Sequence, residues 1–256
     1  MHLGVNLIVN SHSFLNPTFK KLCLEVIKEM RVVVLFSGGK DSVFATHWAL
    51  SVGMDVVSLI TFKIESNDSL VFHIPCVELA PLQAKALDLP ITYVPGISQG
   101  EELSRLKDCL MELRKLHGID AVVLGVLLSD YQRLAINEIC SDLNLRVITP
   151  LWRKSQDKYM LELVDYGFKF IITSISVMGL PPDLLGKILT KEDVLRIIEL
   201  AHKYKFNPAF EGGEAETLVV DAPFFKYRIR ILDYDIVKEG LYSWSMVVKR
   251  VELERK

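Results

Sequence analysis

Apolar residues fall along this chain in short unbroken runs, separated by segments of helical period. The run VVVLF at 32–36 shows no polar alternation. Such a run predicts a strand buried on both faces, the kind found in parallel sheets. The segment 43–50 places Phe44 and Trp48 on one helical face, with Gly53 as its C-terminal stop. The rhythm repeats, with strands predicted at 56–62, 91–94, 121–124 and 147–148 and helices at 81–87, 98–116 and 130–143. Ser98 with Glu101 reads as a capping box for the helix at 98–116, and Gly118 as its end. This βαβα pattern predicts a parallel, doubly wound sheet covered on both faces, with right-handed crossovers.

Beyond Pro150 the pattern changes. A helix is predicted at 159–166, stopped by Gly167, and a strand at 168–173. Pro181 and Pro182 interrupt the chain before two further helical stretches, the second at 191–204. From Leu218 onward the chain reads β. Lys226, Arg228 and Arg230 alternate with Tyr227, Ile229 and Ile231 as a solvated strand face, and Lys238-Glu239-Gly240 turns into the last strand. The expected division is an N-terminal extension at 1–29, an α/β domain at 30–149 and a smaller α+β domain at 150–256. In the extension, Asn16 and Pro17 predict the start of a short helix with Phe19, Leu22, Cys23, Val26 and Ile27 on its apolar face. Met30 offers an alternative start.

Composition narrows the function classes. Half of the 256 residues are hydrophobic, enough for a sizeable core. A formal net charge of −2 argues against a strongly basic nucleic-acid binder, so no DNA partner is expected. Cys23, Cys76, Cys109 and Cys140 form no CxxC pair, and they read as reduced thiols of a cytoplasmic protein. The histidines show no ligand spacing, which argues against zinc. No apolar run approaches the roughly 18 residues of a membrane span, so no membrane partner is expected.

The first strand runs directly into SGGKDS at 37–42, and a helix follows. Ligands bind at such strand-to-helix turns in open α/β sheets. Gly38 and Gly39 admit backbone N–H groups to an anion without Cβ interference, and the helix start favours negative charge. Ser37 and Ser42 add hydroxyls, Lys40 a cation, and Asp41 a carboxylate suited to Mg2+ on phosphates. The loop is not GxxxxGK[ST], because position 34 is Val34 and Asp41 follows Lys40. Five fixed residues of SGGxDS arise by accident in roughly one of several thousand chains of this length. The hexapeptide resembles the pyrophosphate-binding loop of the ATP pyrophosphatases, which split ATP between the α and β phosphates.

Two further stretches carry chemistry. GVLLSDYQR at 125–133 follows the predicted strand at 121–124, with Ser129 as a cap and Gln132 and Arg133 expected to point toward ATP or the second substrate. If the strand order is that of the superfamily, 3-2-1-4-5, this loop lies beside 37–42. FEGGEAET at 210–217 gathers three carboxylates around a glycine pair. A site for Mg2+, ammonia or a cationic substrate accounts for that string, and so does a solvated glycine turn; the residues alone favour neither.

SGGKDS, the YQR at 131–133, Gly179-Leu180 with Leu185-Gly186, EGGE-x-ET at 211–217 and DAPFFK at 221–226 fall in one order. That order resembles the diphthine–ammonia ligase family in its short archaeal-type form, from about 31 to about 234. The resemblance implies a HUP-like (adenine nucleotide alpha hydrolase-like) doubly wound sheet with a smaller α+β C-terminal domain. It implies ATP-dependent amidation of diphthine on translation elongation factor two, through an acyl-adenylate, with release of AMP and pyrophosphate. Ammonia is then the second substrate, ATP and Mg2+ are the cofactors, and self-association stays open.

On that resemblance Ser37, Gly38, Gly39, Lys40, Ser42 and Gly125 hold the nucleotide, and Asp41 holds the metal. Lys40, Asp41, Glu211 and Glu214 are the catalytic candidates. Gln132, Arg133, Glu211, Gly212, Gly213, Glu214, Glu216 and Thr217 face the acceptor. Relatives usually carry glycine before EGGE and an aromatic residue after it, where this chain has Phe210 and Ala215. His73 reads as a structural histidine and Trp48, Trp152 and Trp244 as core or interface aromatics. Two other readings remain at this point: a tRNA-modifying ATP pyrophosphatase, and a nucleotide-binding module without turnover.

Overall fold

The computed structural model describes residues 29–64, 76–97 and 100–256. The expected N-terminal helix, Cys23, His73 and Ser98 lie outside the described residues. β1 (Arg31–Leu35), β2 (Asp55–Ile64), β3 (Ile91–Ile97), β4 (Ala121–Leu124) and β5 (Arg146–Ile148) form one sheet in the order β3-β2-β1-β4-β5. Every pairing in it is parallel. The helices α1 (Lys40–Ser51), α2 (Ala80–Leu87), α3 (Glu102–His117) and α4 (Asp130–Asp142) alternate with these strands.

β1 is buried on both faces because its successive side chains enter two different cores. Val32 and Val34 join the core that holds Val43 and Ala45 of α1 and Ala84 of α2. Val33 and Leu35 join the other, with Leu106 and Leu110 of α3 and Ile136 of α4. Strand alternation thus sorts the helices to the two faces.

The second half adds α5 (Gln156–Asp165), β6 (Lys169–Ser176), α6 (Lys191–Tyr204), β7 (Ala215–Asp221), β8 (Tyr227–Lys238) and β9 (Ser243–Arg255). Its antiparallel sheet runs β7-β6-β9-β8. Tyr159, Phe168, Phe170 and Val219 belong to the same core as Val32 and Val34, so one apolar interior joins the two sheets.

Three expectations change. The first helical stretch after Pro181 is a single 3-10 turn, Pro182–Leu184, ended by extended backbone at Leu185 and a positive φ at Gly186. The helix expected from 98 is described from Glu102, with Glu101 as its N-cap, and the Glu102 carboxylate accepts from the Gly100 N–H at 2.8 Å. A capping box does open α6, between Thr190 and Asp193. β7 begins at Ala215 rather than Leu218, which makes Glu216 and Thr217 strand residues.

Candidate active site

α1 starts at Lys40, so SGGKDS divides into a turn, Ser37 to Gly39, and the first helical turn, Lys40 to Ser42. Gly38 sits at φ +81°, a backbone that L side chains rarely adopt, and a Cβ there would overlap the Gln83 carboxamide. The turn wraps around one hydroxyl: Ser37 N–H and Gly38 N–H donate to Ser42 Oγ at 3.2 and 3.1 Å. Gly39 N–H donates to Ser37 Oγ, and Lys40 N–H to Thr217 Oγ1 at 3.1 Å. Four consecutive N–H groups are therefore held in place by hydroxyl oxygens.

The turn is also fastened to the second half. Val219 N–H donates to the Gly38 carbonyl at 3.1 Å. The fully buried Gln83 of α2 donates Nε2 to the carbonyls of both Gly38 and Val219 at 2.8 Å. Gly125, just past β4, lies against the start of α1, where an added Cβ would come within 2.5 Å of the Asp41 carbonyl oxygen. That contact sets the 125–133 loop beside SGGKDS. Ser129 caps α4 by accepting from Gln132 N–H.

Between these pieces lies a cavity of about 320 Å3. Ser37, Asp41, Ser42, Gly125, Ser129 and Gln132 line one side, and Phe210, Glu211, Gly212, Gly213 and Glu216 the other. Leu35, Leu124, Val126 and Ile136 give it an apolar wall at the carboxyl ends of β1 and β4. The two motifs, far apart in sequence, meet across one space.

Of the expected site residues, Gly38, Gly39, Lys40, Arg133, Glu214 and Thr217 do not line this cavity. The Lys40 ammonium is buried, bonded to Asp41 Oδ2 at 2.9 Å and the Ala209 carbonyl at 2.6 Å. Glu214 folds back into its own turn: Oε1 accepts from Asn207 N–H and Nδ2, and Oε2 from Gly212 N–H at 2.7 Å. Thr217 caps Lys40 from β7. Arg133 stacks over Trp152 at 4.6 Å and pairs with Asp130.

Two of the carboxyls that face the cavity, Glu211 and Glu216, are strongly perturbed. Burial, then the Asp41 charge, pushes the Glu211 carboxyl up to about 7, although Leu128 N–H donates to it at 3.1 Å. Burial likewise pushes Glu216 up to about 7, with Lys40 opposing the shift and Asp41 and Glu211 adding to it. Near neutral pH the cavity therefore holds two carboxyls that each gain or lose a proton readily.

Two supports of the site, Gln83 and Tyr159, were missed from sequence. Gln83 is a polar residue on the apolar face of a predicted helix, a signal that was legible. Tyr159, whose hydroxyl donates to Asp41 Oδ1 at 2.8 Å, gives no such sign, since tyrosine is compatible with any core.

Phe210 lies at φ +65°, in the left-handed region, which accounts physically for glycine at this position in relatives. Its ring is buried and lies 5.5 Å from the Lys40 ammonium. Truncating a buried phenylalanine costs about 3–5 kcal/mol. Left-handed strain returns only about 1–2 kcal/mol. Phe210→Gly is thus expected to lower stability by roughly 1–4 kcal/mol net, read as an earlier urea midpoint; an unchanged midpoint would refute it.

Similarity to known proteins follows the same two halves. Residues 30–147 match the family model described as the diphthamide synthase N-terminal domain, and 155–255 the diphthamide synthase C-terminal domain. The diphthine–ammonia ligase of Mus musculus is 30% identical over 251 residues, covering 89% of this chain and 94% of that protein. That of Danio rerio is 33% identical, covering 79% and 86%. A solved structure, described as a predicted subunit of tRNA methyltransferase from Methanocaldococcus jannaschii, aligns at 20% identity and a TM-score of 0.37 over 76% of this chain and all of that one, too slight a likeness to build on. No described helix is long and apolar enough to cross a membrane. With both family models matched and the Mus musculus ligase covered over 94% of its length, the chain belongs to the diphthamide synthase family, the ATP-dependent diphthine–ammonia ligases.

Proposed function

We propose that this chain amidates diphthine on elongation factor two, using ATP and ammonia, in the cavity between SGGKDS and the glycine turn of 210–217. The observation that carries this reading is the shared cavity, with a phosphate-type turn on one wall and the carboxyls of Glu211 and Glu216 on the other. Residues 30–149 then serve the nucleotide and 150–256 the acceptor.

The residues present suit Mg-ATP. Mg2+ keeps several waters and takes one or two carboxylates plus phosphate oxygens rather than an all-protein cage. Asp41 offers such a carboxylate on the cavity wall, and among the described residues no cluster of metal-ligating side chains forms a cage. Bound there, the metal would neutralise phosphate charge. The N–H groups of Ser37, Gly38 and Gly39, already aligned on hydroxyl oxygens, exchange those acceptors for phosphate oxygens, which bind N–H roughly twice as strongly. Lys40 serves from beneath, by holding Asp41.

In the first step a diphthine carboxylate oxygen attacks the α phosphorus, and the bond to pyrophosphate breaks. The aligned N–H groups stabilise the charge that grows on that leaving group. In the second, ammonia attacks the acyl carbon, the bond to AMP breaks, and the surplus proton passes to Glu216 or Glu211. A carboxyl near 7 is matched to that transfer at neutral pH. Glu214 holds the turn in shape.

The test uses Mg-ATP, ammonium and elongation factor two stopped at diphthine, with AMP and the mass of the factor measured together. AMP with the small mass loss of an acid-to-amide change is expected. AMP without it means another acceptor; ATP binding without AMP means a binding module. A thiolating role has little support: Cys140 is buried, and burial pushes its thiol up to about 12.

A further inference from the structure

Asp41 belongs to the nucleotide turn, yet one of its oxygens is held from the other half of the molecule. Tyr159, in the first turns of α5, is fully buried, and its hydroxyl donates to Asp41 Oδ1 at 2.8 Å. The second oxygen, Oδ2, accepts from the Lys40 ammonium at 2.9 Å. With one donor on each oxygen the carboxylate has a single orientation. Its side chain remains 23% exposed on the cavity wall, and each oxygen keeps a further lone pair.

The hydroxyl is not needed for packing. The Tyr159 ring meets Phe44 edge-on at 5.4 Å, a contact that phenylalanine would preserve. Burying a hydroxyl costs free energy unless it is bonded, so phenylalanine is the cheaper core residue wherever no acceptor matters.

We propose that Tyr159 is a positioning residue for the reaction: its hydroxyl sets the Asp41 carboxylate in the orientation that receives the Mg2+ of ATP. The proposal rests on the reading of Asp41 as the metal-binding carboxylate. It gives α5, in the acceptor half, a direct grip on the nucleotide half. Outer-shell partners of this kind are worth roughly 10–100-fold in metal affinity or activity.

The experiment compares Tyr159→Phe, Asp41→Asn and Phe44→Leu with the unaltered chain. Mn2+ binding is measured with a non-hydrolysable ATP analogue present, and AMP release is followed against Mg2+ concentration. In Tyr159→Phe, Mn2+ affinity is expected to fall roughly 10–100-fold, with a matching rise in the Mg2+ needed for half-maximal AMP release. Affinity for the metal-free analogue stays unchanged. Phe44→Leu, which disturbs the same packing without touching the hydrogen bond, is expected to keep the metal dependence of the unaltered chain.

If Tyr159→Phe binds metal normally while Asp41→Asn does not, the positioning role falls and the Asp41 reading stands. If Asp41→Asn binds metal normally, that reading falls first. An equal loss in Phe44→Leu, or a Tyr159→Phe chain that does not fold, would make Tyr159 a packing residue and overturn the proposal.

Discussion

Asp41→Ala is expected to abolish AMP formation, with turnover falling by roughly 10^2–10^3-fold or more, the scale set by removing one preorganised charge-stabilising contact. Asp41 stands at the start of α1, on the cavity wall, with Tyr159 and Lys40 each bonded to one oxygen. Its removal acts in two places. The carboxylate oxygens proposed to hold the metal disappear from the SGGKDS side of the cavity. The negative charge that helps to raise Glu211 and Glu216 disappears from the other side, so both carboxyls should titrate at lower pH. Residual turnover should therefore show an acid limb moved downward, a shift that simple misfolding would not produce. Asp41→Asn removes the charge but keeps an acceptor for Tyr159, and so limits the loss of stability. AMP release measured beside ATP binding separates failed chemistry from failed binding. Undiminished turnover in Asp41→Ala would eliminate the metal role.

Those consequences depend on side-chain directions, which were the least legible part of the chain. The sheet was readable because β1 and β4 are unbroken apolar runs, and a strand buried on both faces has no other way to be written. The turn at 37–42 and its contact with the 125–133 loop left a trace because glycine has a steric reason at Gly38, in its positive φ, and at Gly125, in the close approach of Asp41. The strand order came from family likeness rather than from periodicity.

The EGGE string shows where pattern stops. Glu211, Glu214 and Glu216 are equivalent as letters, but Glu214 precedes β7 and closes a turn on Asn207 and Gly212, while Glu216 lies within the strand and faces the cavity. Telling them apart requires knowing that β7 starts at Ala215, and strand ends are set by long-range pairing, here Ala215 with Ile175. Lys40 reads as a cation for phosphate, yet a side chain in the first turn of a helix can point outward or beneath. The Ala209 carbonyl, distant in sequence, draws it beneath.

Glu216→Gln separates the chemistry of this cavity from its stability, because the two should move in opposite directions. The Glu216 carboxyl lies near 7 in the folded chain against an ordinary 4.5, chiefly through burial. A raised acid pKa means that the folded state holds its proton more tightly than the unfolded chain does. Stability is then lost as pH rises from about 4.5 to about 7, and the deficit persists above that. Glutamine carries no such deficit. At pH 8 the variant is expected to be more stable by roughly 1–2 kcal/mol, the full shift being discounted for partial exposure. Its Tm should exceed that of the unaltered chain by about 2–8 °C, and the advantage should vanish near pH 4. Amidation should fall by roughly 10^2–10^4-fold, the range for a lost general base, and the remaining activity should no longer rise through neutral pH as strongly. Glu211, perturbed to the same value, supplies whatever limb persists, so the double variant with Glu211→Gln should be flat. Pyrophosphate release from the first step, assayed with ammonium omitted, should survive Glu216→Gln far better than amide formation does. Equal losses in the two steps would assign Glu216 to binding the acceptor instead of accepting the proton.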